Sequence, residues 1–145
     1  LSSSPTQALK MIAILRTMEN CIFCKIVAGT VPSYIIEQDE NLIVFISKEN
    51  HPLICPKKHL QDLFALDKET ASLIMLRSLD IARALKESLN CDGVYVTQAN
   101  GAAAGQDVFH FHMHLYPKWD DGRNLGRSDD ERADLAEKVR ASMRG

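Results

Sequence analysis

The sequence predicts an α+β domain built on one antiparallel sheet. Three observations carry this. Short runs rich in β-branched and aromatic residues follow one another across polar turns or small-residue loops. Segments with a helical period are segregated from those runs, not alternated with them. Finally, 145 residues with 46% hydrophobic and 25% charged residues have the size and balance of a single globular domain. Lys and Arg number 17 against 19 Asp and Glu, and this net charge of −2 argues against broad binding to nucleic acid or an anionic membrane. No apolar run approaches the roughly 18 residues of a membrane span. Four cysteines are too few for a disulfide scaffold and point to a reducing, cytoplasmic compartment.

Residues 1–17 carry three serines, two basic residues, no acid and a short apolar run from Met11 to Leu15. They read as a leader or extension, native or not, and residues 18–145 as a single domain with a C-terminal helix. Ile22 to Ala28 reads as a short helix stopped by Gly29, with Pro32 beyond. Tyr34 to Glu37 and Leu42 to Ile46 form a hairpin across Gln38-Asp39-Glu40-Asn41, and Leu53 to Cys55 is a third strand. Asp67 caps a helix of about six turns ending near Leu89. Its expected buried face is Ala71, Ile74, Met75, Ile81, Ala82, Leu85 and Leu89. Gly93 to Thr97 and Val108 to Tyr116 are two further strands. Ser128 and Glu131 make a capping box for a last helix, whose apolar stripe is Leu135, Val139 and Met143. Cys55 and Cys91 read as core residues.

The stretch Val108-Phe109-His110-Phe111-His112-Met113-His114-Leu115-Tyr116 carries the chemistry. On a strand, alternation puts His110, His112 and His114 on one face and Phe109, Phe111, Met113 and Leu115 on the core side. One histidine there is unremarkable. Three in strict alternation predict a metal site or a catalytic one, because neutral imidazole is both ligand and nucleophile. The small-residue loop from Asn100 to Asp107 leads directly into them, and backbone N–H groups of such a loop can cradle a phosphate. Cys21 and Cys24, three apart at a helix start, read as a redox pair, half of a zinc site, or coincidence. With every histidine in two clusters, zinc is favoured.

Gly105-Gln106, followed by His110-Phe111-His112-Met113-His114-Leu115-Tyr116, resembles the signature of the histidine-triad (HIT) family. Cys21-Ile22-Phe23-Cys24-Lys25-Ile26, Gly29, Pro32-Ser33 and Pro56-Lys57-Lys58-His59 fall in the order seen in its small zinc-containing, often bacterial, members. The resemblance implies a HIT-like fold with a five-stranded antiparallel sheet, a short N-terminal helix, one long helix and a C-terminal helix, assembled as a homodimer. It implies a nucleotide phosphoramidase or nucleotidyl hydrolase releasing a nucleoside monophosphate, expected to be AMP. By position, His112 resembles the nucleophile, with His114 and His51 in the active site. Gln106, Gly105 and Asn100 resemble phosphate-loop residues, with Asp107 beside them. Phe23, Ile26 and Phe45, together with Ile22, are plausible walls for a purine base. Cys21, Cys24, His59 and His110 resemble the ligands of one structural zinc per chain.

This chain departs from the pattern in three places. Between Phe45 and His51 it has only five residues, lacking the longer segment with an Asp-Ile pair whose aspartate contacts ribose in relatives. Asn50 or Ser47 are the candidates to replace that aspartate. Ala99 stands where asparagine is common, with Asn100 adjacent, and Asp107 replaces a hydroxyl residue. The competing accounts are a dinucleoside polyphosphate hydrolase, a nucleotide-binding or interaction module with little turnover, a protein in which all three strand histidines hold metal, and a thiol–disulfide protein.

Overall fold

A computed structural model describes residues 5–144. Helix α1 (Pro5–Asn20) lies where an extension was expected and leans on α2 (Ile22–Ala28), with Leu9, Met11 and Ile12 exposed. Strands β1 (Ile35–Gln38), β2 (Leu42–Ile46) and β3 (Pro52–Pro56) form a meander, followed by the long helix α3 (Lys68–Leu89). Strands β4 (Gly93–Thr97) and β5 (Met113–Lys118) and helix α4 (Asp129–Met143) complete the chain. All five strands join one antiparallel sheet in the order β1-β2-β3-β5-β4. No helix among the described residues is long and apolar enough to cross a membrane.

The local signals work as their chemistry dictates. Gly29 takes φ of 78° and closes α2 by donating its N–H to the Ile26 carbonyl. Asp39 Oδ1 accepts the N–H groups of Asn41 and Leu42, both at 2.8 Å, and turns β1 into β2. Asp67 accepts the Thr70 N–H at the start of α3, and Ser128 accepts that of Glu131 at the start of α4.

β2 is buried along its whole length because both sheet faces are covered. Leu42, Val44 and Ile46 join Ile54, Ile81, Leu85, Leu115 and Val139 in the core under α3 and α4. Ile43 and Phe45 face the other way and pack with Leu53, Cys55, Phe23 and Ile26 beneath α2. The two faces therefore have different duties: one anchors the fold and the other presents the histidines. At the β1 edge, Arg140 of α4 donates to the carbonyls of Ile35 and Ile36, while Arg77 of α3 pairs with Glu37 and Asp39.

Two expectations are corrected. The last strand begins at Met113, not Val108, so His110 and His112 lie on the bent lead-in to β5 and only His114 of the three is in the strand. The bend arises where Phe111 N–H turns to the Leu60 carbonyl (2.7 Å) instead of continuing a ladder. Strict alternation therefore fails at its start: Phe109 is 43% exposed, whereas Phe111 is 2% exposed. Met75 is likewise 62% exposed, because the buried stripe of α3 runs through Ile74, Ser78, Ile81, Ala84 and Leu85. Phe111→Ala is expected to lower the unfolding free energy by about 3–5 kcal/mol, and Phe109→Ala by about 1 kcal/mol or less. Urea denaturation of both variants measures this; equal losses would contradict the register described.

Candidate functional site

Two histidine clusters sit on the α2 side of the sheet. In the first, α2 begins at Cys21, whose Sγ accepts the Cys24 N–H, so the helix start itself brings both sulfurs to one point. His59, just after β3, places Nδ1 3.2 Å from Cys24 Sγ. His110 places Nδ1 3.5 Å from both sulfurs. All four ligand atoms lie within 4.8 Å of one another. A tetrahedral zinc with ordinary Zn–S and Zn–N bonds would have edges of about 3.3–3.8 Å between such atoms. The donor set fits a metal. His110 Nε2 lies 2.7 Å from the Pro56 carbonyl and donates its proton there, leaving the Nδ1 lone pair toward the thiols. Burial pushes the Cys24 thiol up to about 12, reinforced by Cys21 beside it, and holds His110 down at about 4. A cation at the centre would reverse that cost by stabilising thiolates.

The second cluster is His51, His112 and His114. His112 Nδ1 lies 2.8 Å from the His110 carbonyl, which can only accept. In the neutral ring the lone pair therefore resides on Nε2, on the pocket side. Phe23 packs edge-on against this ring at 5.0 Å between centroids, and His114 at 4.8 Å. His51 Nε2 meets His114 Nδ1 at 2.8 Å, and Tyr116 stacks on His51 at 3.8 Å. Burial lowers the His51 pKa to about 3, helped by His114, Lys118 and Arg127; His114 is lowered too, again mainly by burial.

These rings open onto a cavity of about 320 Å³. Ile22, Phe23, Ile26, Val31, Phe45 and Leu53 make its apolar wall. His51, His112, His114 and Asp107 supply polar groups to the same lining. Asp107 does not turn away: its Oδ1 accepts the Val108 N–H at 2.9 Å and stands 3.6 Å from His112 Nε2.

The expected phosphate loop is placed differently. Gln106 is buried and engaged with backbone, its Oε1 accepting from Gly101 N–H (2.7 Å) and its Nε2 donating to Gln61 and Val108 carbonyls. Asn100 turns outward to accept the Leu63 N–H, and Gly105, at φ 93°, closes a 3₁₀ turn. None of Gln106, Asn100 and Gly105 lines the cavity; they brace the loop that delivers Asp107 and the histidines. Neither replacement for the missing aspartate reaches the cavity as a free group. Ser47 Oγ is engaged with His51, and Asn50 lies outside the cavity lining, its Nδ2 donating to the Gly126 carbonyl and its Oδ1 buried without a partner among the described residues. Two contributors escaped the sequence reading. Tyr116 is read from the sequence only as the hydrophobic end of the signature, with no role beside His51. Arg132, from α4, reaches the cavity wall and donates to the Ser47 carbonyl at 2.9 Å; nothing local in the sequence signals that long-range contact.

Comparison with known proteins agrees with this architecture. The HIT domain family model matches residues 29–121. Protein hit of Bacillus subtilis is 37% identical over 112 residues, covering 74% of this chain and 77% of its own length. An adenosine 5'-monophosphoramidase of Saccharomyces cerevisiae is 34% identical over 109 residues, covering 72% of this chain and 66% of its own length. Among solved structures, a Zn-bound histidine triad family protein from Mycobacterium smegmatis has a TM-score of 0.79 at 32% identity, covering 88% of this chain and 95% of that one. With the sheet order, the histidine cluster and the family match in agreement, this chain belongs to the HIT family.

Proposed function

We propose that the chain is a nucleotide phosphoramidase of nucleotidyl-hydrolase type, releasing a nucleoside monophosphate through a covalent intermediate on His112. The observation that carries this is the His112 ring: its Nδ1 proton is held by a carbonyl, and its Nε2 lone pair faces a cavity with one apolar wall. Nε2 attacks the α-phosphorus and forms a P–N bond as the bond to the leaving nitrogen breaks. His114 supplies the proton that the departing amine needs. Water then attacks phosphorus, gives its proton to His114, and the P–Nε2 bond breaks. His112 Nδ1–H stays on the His110 carbonyl throughout and stabilises the ring while phosphorus is attached. The base, purine in this reading, lies against Phe23, Ile26 and Phe45. The name of the yeast relative supports this reaction class.

Asp107 favours the phosphoramidate over a dinucleoside polyphosphate. A carboxylate beside the attacking nitrogen repels each extra negative charge on the substrate by about 1 kcal/mol at 4 Å in water. Zinc, held by Cys21, Cys24, His59 and His110, would supply structural cross-linking of α2 to the histidine segment and charge for the two thiolates. The homodimer finds support in the exposed apolar side chains of α3 and of the edge strand β4. Met75, Leu76 and Leu79 project from α3, and Tyr95 and Val96 from the sheet-edge strand β4, uncovered by any other element among the described residues. A second copy of the chain fits an edge strand bordered by an apolar helix face.

Three measurements test these statements. AMP release from adenosine phosphoramidate should fall by roughly 10³-fold or more in His112→Ala. Nucleotide binding with no turnover by the unaltered protein would instead make it a binding module. Elemental analysis should find about one zinc per chain, lost in a Cys21→Ser, Cys24→Ser double variant with a fall in melting temperature. Metal retained by that variant would refute the ligand assignment. Sedimentation equilibrium should give the mass of two chains for the unaltered protein and one for Val96→Asp; a monomeric unaltered protein would end the dimer proposal.

A further inference from the structure

The turn joining β2 to β3 carries an arrangement that the histidine pattern does not explain. Ser47 Oγ accepts the backbone N–H groups of Glu49 (3.2 Å) and His51 (3.3 Å). With both acceptor positions in use, the hydroxyl proton points to the remaining neighbour, His51 Nδ1, at 2.9 Å. The residue is fixed at its backbone as well. Its N–H donates to the His51 carbonyl at 2.8 Å, and its carbonyl accepts from Arg132 Nε at 2.9 Å. Ser47 therefore cannot rotate to another partner without breaking this turn.

A direction then propagates along three residues. His51 Nδ1 is an acceptor, so the proton of the neutral ring lies on Nε2. Burial keeps that ring neutral, with its pKa down at about 3. Nε2–H donates to His114 Nδ1 across 2.8 Å. His114 Nδ1 is in turn an acceptor, and its own proton must sit on Nε2. Tyr116 holds the path in register, stacking on His51 at 3.8 Å and on His114 at 5.6 Å.

We infer that Ser47 is a positioning residue that sets the tautomer of His51 and, through it, of His114, so that His114 presents an N–H and not a lone pair to the reacting phosphate. This rests on the proposed role of His114 as proton donor, but the tautomers themselves do not depend on it. Without the hydroxyl, His51 can carry its proton on Nδ1 instead. The His51–His114 bond then runs backwards, and His114 offers a lone pair where a departing amine needs a proton. The inference also assigns Ser47 away from ribose recognition.

The test uses the full chain in three forms: unaltered, Ser47→Ala and Ser47→Thr. Long-range ¹H–¹⁵N correlation spectra of the imidazoles, without any nucleotide, should show Nε2–H for both His51 and His114 in the unaltered protein and in Ser47→Thr. Ser47→Ala should show an Nδ1–H population in one or both. Kinetically, turnover of adenosine phosphoramidate should fall in Ser47→Ala by roughly 10²-fold, the scale of general acid catalysis. That fall should exceed the fall on the p-nitrophenyl ester of AMP, whose leaving group departs without a proton, by about tenfold, and threonine should restore it. Nδ1–H on His51 in the unaltered protein overturns the inference, as do unchanged tautomers or equal losses on both substrates in Ser47→Ala. Absence of turnover by the unaltered protein, with the expected spectra, would count against the proposed activity and leave the tautomer assignment standing.

Discussion

The hydrogen bonds of His110 connect every part of this site. The ring is fully buried, with Nε2–H on the Pro56 carbonyl at the end of β3, Nδ1 toward the two thiols, and its own backbone carbonyl holding His112 Nδ1. One residue thereby couples the sheet, the sulfur cluster and the protonation pattern of its neighbour. Its immediate neighbour Phe111 is in the opposite core, beneath α3 and α4. A shift of this segment would disturb both sides of the sheet at once, and close packing resists such shifts.

The surrounding rings show how environment divides one residue type among different roles. His110 and His51 are held neutral chiefly by burial, and each has a fixed partner that selects which nitrogen bears the proton. His110 is left with a lone pair for the sulfur cluster, and His51 with a proton for His114. A fixed acceptor at His110 and a fixed donor at His51 accomplish this without a formally charged partner. Asp107, 83% exposed, therefore stands out as the carboxylate nearest to His112 Nε2. Water screens it from the wider protein but not from whatever occupies the cavity beside it.

Much of the fold was legible because its signals are local. The Gly29 stop, the Asp67 cap and the Ser128–Glu131 box need only neighbouring residues, and all three appear where their chemistry places them. The row of histidines was legible as a cluster, since three in alternation leave few structural explanations. Its geometry was not, because the contact bending the chain at Phe111 comes from Leu60, some fifty residues earlier. The same limit applies to Gln106 and Asn100, whose amides are engaged by backbone groups of the Gln61–Leu63 segment. Met75 failed for a different reason. An apolar residue at the margin of a helical stripe fits the period equally well on the buried or exposed side, and only packing decides.

The shortened segment before His51 changes what borders the cavity. With so few residues between β2 and β3, the turn is too tight to extend over the cavity, and Asn50 takes φ of 65° to complete it. The C-terminal part of the chain packs against this turn instead. Asn50 Nδ2 reaches the Gly126 carbonyl, and Arg132 lies over the Tyr34 ring at 4.9 Å while donating to the carbonyls of Ile46 and Ser47. Arg132, Ser47, Lys48 and Glu49 consequently share one margin of the cavity. That margin offers an arginine, a lysine and the carboxylate of Glu49 to whatever occupies the cavity. The shape of that margin thus depends on α4 being docked, although α4 is remote in sequence from every histidine. The same docking holds the Ser47 carbonyl, so the helix that shapes this margin also steadies the turn that faces His51.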